Sequence, residues 1–307
     1  MMSQTTVSMA LLRAQAQGPN GSGSMSVARC TQSDGKNNRM LPVQAVQHLR
    51  RMRGGSQSQL MRCSDGFDYV VKFQNNPQHS RVLINDWIGT RLAESIGLPV
   101  PVIAVVDVDH SLVEHTPELC FKLCGGESPI TPGRSFGSRY LVSPVEGQVY
   151  DYMPESMMPQ VRNLRDFAGV LVLDKWTCNA DGRQVAFWRT SRQKKFTASF
   201  IDQGYCFNAG EWNFSDAPLR GTFPRNDVYR WITGWESFEP WLSRVETFPE
   251  SLLWSLAEEI PPEWHSDDVE SLRMVFIKLL ERRSRLRELL VSFKNSSRAP
   301  FPNWTAT

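Results

Sequence analysis

Two aspartates bracket one predicted β-hairpin, and their placement limits what this chain can fold into more than any other feature. An apolar run, Phe167 to Leu173, predicts a buried helix ending near Asp174. A polar loop follows, Asn179-Ala180-Asp181-Gly182-Arg183, and then a strand at Val185-Ala186-Phe187-Trp188. A basic turn, Thr190 to Lys195, leads into a second strand, Phe196 to Ile201, which ends at Asp202-Gln203-Gly204. If the strands pair around that turn, Asp181 and Asp202 share one end of the hairpin. Two carboxylates so placed suit phosphoryl transfer, one as base toward the attacking hydroxyl and one as ligand of a divalent ion. On pattern alone, Asn179 to Gly182 reads equally well as an ordinary polar turn.

A chain of 307 residues with 41% hydrophobic content can bury one large domain or two lobes. Its formal charge of +2 is too small to point to nucleic acid or a membrane. The one basic run, Arg189 to Lys195, reads first as a solvated turn. No apolar run reaches spanning length, and the opening residues lack a basic, apolar signal segment. Six cysteines show no paired framework, and Cys120 and Cys124 lack a second ligand pair for zinc. Buried free thiols are expected, as suits a reducing cytoplasm.

Residues 1–39, rich in Gln, Ser, Gly and Asn, predict a disordered tail, with Met25 or Met40 as alternative starts. Val43, Val46, Leu49 and Met52 or Arg53 fall at helical spacing and predict a short amphipathic helix. Strands at Gln59 to Cys63 and Asp68 to Phe73 flank the turn Ser64-Asp65-Gly66. Lys72 lies on the second of them, where a lysine can meet nucleotide phosphates. A helix from Ser80 to Ile96 ends at Gly97 and the prolines beyond it. It carries Asp86 and Glu94, either able to orient Lys72, although Glu94 reads better as a solvated acid.

Val100 to Val108 and Pro117 to Leu123 predict strands, Ser128 to Ser138 a loop, and Tyr140 to Val142 and Gln148 to Tyr152 short strands. A mostly β lobe is therefore expected over 40–148. A hinge at Val149 to Tyr152 would offer backbone to an adenine, and a second lobe would run over 149–295. Asn163 is the expected N-cap of the helix ending at Asp174. The dense aromatics from Phe207 to Trp241 predict core packing. One long helix, from Asp267 to Phe293 with Asp267 and Asp268 at its start, precedes a frayed tail, 296–307.

The segments YVVKF (69–73), NNPQHSRVLINDWIGTRLAESIGLPVP (75–101), DKWTCNADGRQVAF (174–187), IDQGYCF (201–207) and IPPEWHSDDVESL (260–272) together resemble the HipA-like kinases. The resemblance spans about Met40 to Phe293. It implies an α+β, two-lobed protein-kinase-like fold with a β-rich N-lobe and a mostly helical C-lobe. It implies ATP and Mg2+ as cofactors, with Lys72 on the nucleotide phosphates and Asp86 as the helix acid beside it. Asp181 takes the place of the catalytic base, and Asp202 that of the magnesium ligand. Two positions depart from the family's Asn-x-Asp-x-His-x-x-Asn pattern. Arg183 stands at the histidine and Ala186 at the last asparagine, normally a second magnesium ligand. Gln184 is the candidate replacement ligand, and Arg183 a candidate for neutralising developing charge. Asp174 is expected to hold the loop by accepting backbone N–H bonds. With no glycine-rich stretch between 60 and 68 beyond Gly66, Ser64, Gly66 and nearby N–H groups are the expected phosphate contacts.

The leading expectation is a kinase transferring the γ-phosphate to a hydroxyl, as Ser or Thr of a protein, with a small-molecule acceptor as the variant. An antitoxin-like partner is conceivable from the family, but no residue points to one. The alternative is a kinase-shaped module that binds nucleotide or protein with weak or no turnover, motivated by Ala186. Nucleic-acid binding through Arg189 to Lys195 is disfavoured by the near-neutral charge, and no membrane partner is expected.

Overall fold

The computed structural model describes residues 42–265 and 268–305. The expectations for the 1–39 tail, the alternative starts, Cys30 and Asp267 fall outside those residues. Ten strands are described. A closed five-stranded barrel comprises β1 (Val43–Arg51), β2 (Gln59–Cys63), β3 (Asp68–Lys72), β7 (Gly133–Arg139) and β4 (Ile103–Val108), in that order around the ring. A two-stranded hairpin, β5 (Cys120–Leu123) and β6 (Gly126–Pro129), stands apart from it. The third sheet has the order β10 (Thr197–Ile201), β9 (Gln184–Thr190), β8 (Gly147–Tyr150). The helices are α1 (Val82–Ser95), the short α2 (His110–Glu114), α3 (Asp166–Trp176), α4 (Trp241–Glu246), α5 (Glu250–Glu258), α6 (Val269–Arg282) and α7 (Leu286–Lys294). This is an α+β architecture.

Alternation organises the barrel. Tyr69 and Val71 of β3 point inward with Met61, Cys63, Val106 and Phe121. Lys72, one residue on, therefore faces the other side, toward α1. That helix is buried on nearly every side. Its apolar residues belong to the same core as α3, the hairpin β9–β10 and the C-terminal helices, so it joins the barrel to the helical lobe.

Several expectations are corrected. The segment 43–51 is a strand, pairing with β2 and, in parallel, with β4. Its register skips between Ala45 and Gln47 and between His48 and Arg50, which leaves Val46 and Leu49 outside the pairing. Those two bulge residues, 54% and 37% exposed, created the three-residue spacing that mimicked a helix. The expected loop at 128–138 holds the end of β6 and most of β7, the latter hydrogen-bonded to both β3 and β4. Its Gly137 marks close approach, since a Cβ there would collide with Val106 Cγ2.

Val149 and Tyr150 lie inside β8, paired with Trp188 and Phe187, so the chain passes from the barrel to this three-stranded sheet over residues 140–146, ahead of the expected hinge at 149–152. Asn163 does not cap α3, whose N-cap residue is Arg165. Its side-chain amide instead exchanges two hydrogen bonds with the backbone of Ala198 on β10, at 2.8 and 2.9 Å. The long C-terminal helix is broken by a 3-10 turn at Arg283–Arg285. The chain after Asn295 folds back, burying Phe301 among Tyr229, Phe238 and Phe293. Among the described cysteines, Cys63, Cys120, Cys178 and Cys206 are buried and free, while Cys124 is exposed. No helix among the described residues is long and apolar enough to cross a membrane.

Candidate active site between the barrel and the helical lobe

Lys72, at the end of β3, reaches across to two acids. Its Nζ lies 2.7 Å from Asp86 Oδ2 on α1 and 2.8 Å from Asp202 Oδ1 just beyond β10. The shorter Asp86 thus reaches the lysine from its helix. Asp86 is also fixed from the far side, because Gln203 N donates to its Oδ1 at 2.8 Å. Glu94 bonds Arg91 at the exposed end of the helix and takes no part.

The electrostatics follow from burial. Desolvation works against the Lys72 charge, but the two carboxylates outweigh it and hold its pKa above the ordinary lysine value. Burial dominates at Asp86 and lifts its pKa even with Lys72 in contact. At Asp202 burial pushes upward as well, yet Lys72 prevails and keeps the pKa below the usual carboxylate range.

The backbone around Asp202 is unusual. Asp202 itself has φ +59°, and Phe207, Asn208 and Ala209 form a run of left-handed residues. Buried polar bonds hold this path. Asn85, fully buried on α1, points its Nδ2 at the carbonyls of Gly204, Cys206 and Ala209, at 2.8, 3.0 and 2.9 Å. Trp212 Nε1 donates to Asn85 Oδ1 at 2.8 Å. Gly204 must lack a side chain, since a Cβ would stand 2.7 Å from Val82 Cγ2 and 3.1 Å from Asp86 Oδ2.

Asp181 is exposed on a loop whose roots are buried. Ala180 N donates to Tyr205 O at 2.9 Å, which ties this loop to the one carrying Asp202. Asn179 accepts from Asp181 N at 3.2 Å and donates to Asp174 Oδ1 at 3.0 Å. Gln184 opens β9 opposite Ile201, at the same end of the hairpin as Asp202, and is exposed. Ala186 is buried within β9.

Arg183 does not face the reacting groups. Its side chain is fully buried against Asp174, and it donates to Ile201 O at 2.9 Å and Gln203 Oε1 at 2.9 Å. It therefore ties the Asp181 loop to the Asp202 loop, and its charge is already met. Asp174 holds the loop as expected but through the side chains of Asn179 and Arg183 instead of backbone N–H groups.

Ser64 and Gly66 are also displaced from the expected role. They sit at the other end of β3 from Lys72, about 13 Å along the strand, and Ser64 exchanges bonds with the backbone of Gln44. The turn beside Lys72 is the β1–β2 loop, Met52 to Ser58, because Gln59 pairs with Val71. It contains Gly54-Gly55-Ser56, with φ +112° at Gly54. Its tip is tied down by Gln57, whose amide exchanges two bonds with the Lys122 backbone on β5, at 2.9 and 2.8 Å. The glycine pair was the signal for this loop, and it was hidden by the helical spacing just before it.

The donor set suits a hard divalent cation in part. Asp202 is 22% exposed and offers oxygen, as does Gln184. Among the described residues no group of three His, Cys, Asp or Glu side chains forms a cage. A magnesium ion here would need phosphate and water oxygens to complete its shell, which is its usual habit.

Compared with known proteins, the sequence profile of the HipA-like kinase family matches residues 45–292. No protein of curated function matches the sequence. A solved structure titled as the Golgi casein kinase with Mn/ADP bound is similar at TM-score 0.51 and 13% identity, covering 83% of this chain and 73% of that one. The structure of hydra Fam20 with sugar is similar at TM-score 0.51 and 11% identity, covering 86% and 89%. HipA of Shewanella oneidensis MR-1, solved with HipB and operator DNA, aligns at TM-score 0.47 and 11% identity, covering 81% and 68%.

Proposed function

The chain belongs to the HipA-like kinase family, and from that premise we propose that it is a magnesium-dependent phosphotransferase moving the γ-phosphate of ATP to a hydroxyl. The observation that carries the reading is the convergence of Lys72 from the barrel with Asp86 and Asp202 from the helical side, at 2.7 and 2.8 Å. Lys72 and the β1–β2 loop bind the phosphates. Asp181, exposed and anchored, accepts the proton of the acceptor hydroxyl. Asp202, with Gln184, holds the metal, which when bound neutralises charge on the phosphates. One solved structure of similar fold holds Mn and ADP, in keeping with this use of the site. The acceptor we favour is Ser or Thr of a protein.

The test is transfer of label from γ-labelled ATP with magnesium to the protein itself, to lysate proteins and to water. Asp181→Asn lowers turnover by about 10²-fold or more while the nucleotide-induced thermal shift persists. A wild-type protein that shows neither shift nor label transfer overturns the reading. Buried Ala186, in place of the second metal-ligand asparagine, favours one second reading, a nucleotide-binding module without turnover. It predicts the shift without product.

A further inference from the structure

We infer that the open edge of β1 is a docking groove for an extended, acidic peptide segment of a partner protein, separate from the site around Lys72. Strand β1 closes the barrel only through Val43 and Gln44, which pair with Val106 and Asp107 of β4. From Ala45 to Arg51 it pairs with β2 on one side, and its other edge meets no strand among the described residues. Such an edge presents unpaired N–H and C=O groups to any strand that can lie along it. Across a cleft of about 750 Å3 stands the outer edge of the β5–β6 hairpin. That edge has no strand beside it either. Its Cys120 O accepts from Arg51 Nη2 at 2.8 Å, and the Lys122 N–H and C=O are held by the Gln57 side chain. Side chains therefore tie the two walls at the Arg51 end, and the cleft between them stays open.

The charge of the cleft selects the occupant. Arg50 and Arg51 form no ion pair among the described residues, and Arg51 Nε is buried without an acceptor. Of the acids on the facing wall, Glu127 is met by Lys122 at 3.9 Å, which leaves Glu118 against the two arginines. Exposed Leu49 adds apolar surface on the β1 side. A second copy of this chain is the poorer fit. The β1 sequence, VQAVQHLRR, has two arginines and no acid, so pairing two copies edge to edge would gather the arginines of both on one ribbon. Arginine on an edge repels its own kind and admits an acidic strand. His48 to Arg51 spans about 13 Å of strand, room for a partner segment of similar length.

The test uses the full chain without nucleotide and a short fluorescein-labelled peptide in which Glu alternates with Val and Thr. Binding is followed by anisotropy and by hydrogen exchange of the β1 amides. Wild type binds the peptide, binding weakens as salt is raised, and amides within 45–51 gain protection. N-methylation of alternate peptide nitrogens, which keeps the charge and removes backbone donors, weakens binding at least about tenfold. The same peptide with Lys in place of Glu binds wild type at least about tenfold more weakly, and Arg50→Glu reverses that ranking. A wild type that ignores the acidic peptide overturns the groove. So does equal binding of the N-methylated form, which would show attraction by charge alone. Self-association in sedimentation, with the same β1 amides protected in the absence of peptide, overturns the acidic occupant in favour of a second copy. The wild-type measurements decide the proposal even if Arg50→Glu does not fold. With no nucleotide present, these outcomes leave the phosphotransferase reading to be judged separately by label transfer.

Discussion

A single buried arginine shows how a residue's chemistry is set by its surroundings. Arg183 stands in the loop that carries Asp181, yet its side chain is 0% exposed and paired with Asp174, itself 1% exposed. Truncating one partner of such a pair leaves an uncompensated buried charge. Arg183→Ala should therefore lower stability by about 3–5 kcal/mol, and the Asp174→Leu/Arg183→Leu double variant should recover part of it. Urea unfolding of the two variants checks this, and equal losses would show that the pair is not the cause. Lys175 gives a pH-dependent counterpart. It is buried, donates to Pro218 O and Arg220 O at 2.8 and 2.7 Å, and desolvation brings its pKa down to about 8. Between that value and the ordinary lysine pKa, the unfolded chain binds a proton that the folded one does not. Stability from this group therefore rises with pH across the window, and the burial penalty is fully present below it. The difference in unfolding free energy between wild type and Lys175→Met should change by about 3 kcal/mol from pH 7 to pH 10.5. A flat difference would contradict the lowered pKa.

Among elements, the first strand and the loop after it were the hardest to read. Val43, Val46 and Leu49 repeat every three positions in the sequence, but Val46 and Leu49 are bulge residues turned to solvent. Once 43–51 is a strand, Gly54-Gly55-Ser56 becomes the turn of a hairpin beside Lys72. Gln57 clamps that turn to β5 through two bonds to Lys122. Gln57→Ala should weaken nucleotide binding by roughly tenfold, the loss of about 1.4 kcal/mol expected for one or two hydrogen bonds. Ser64→Ala, at the far end of the strand, should leave it unchanged. Nucleotide titrations of both variants test the assignment, and the opposite ranking would restore the Ser64 turn as the phosphate contact.

For the whole molecule, closure depends on contacts between segments far apart in the chain. Arg81, at the head of α1, forms two bonds of 2.8 Å with Asp268 beside α6, and its guanidinium covers Trp212. The last described residues close the helical lobe, with Phe301 stacked on Trp304 and Thr305 N bonded to Thr233 O at 2.9 Å. A chain ending at Asn295 should lose roughly 2–3 kcal/mol for the buried phenylalanine alone, seen as a lower unfolding midpoint. An unchanged midpoint would return this segment to the role of a frayed tail. By itself, the sequence determined the local elements whose signals are short-ranged: the hairpin with Asp181 and Asp202 at one end, the strand carrying Lys72, and the helix carrying Asp86. Turn residues and alternation act over a few positions and can be read there. Only the tertiary structure decided which neighbours met. It paired Arg183 inward with Asp174, gave Asn85 the carbonyls of the Asp202 loop, and placed the 54–58 turn next to Lys72 instead of Ser64. Those outcomes depend on strand register and on which charge is desolvated beside which, and both are fixed by how whole segments pack, from nine residues apart for Arg183 and Asp174 to more than a hundred for Asn85 and the Asp202 loop.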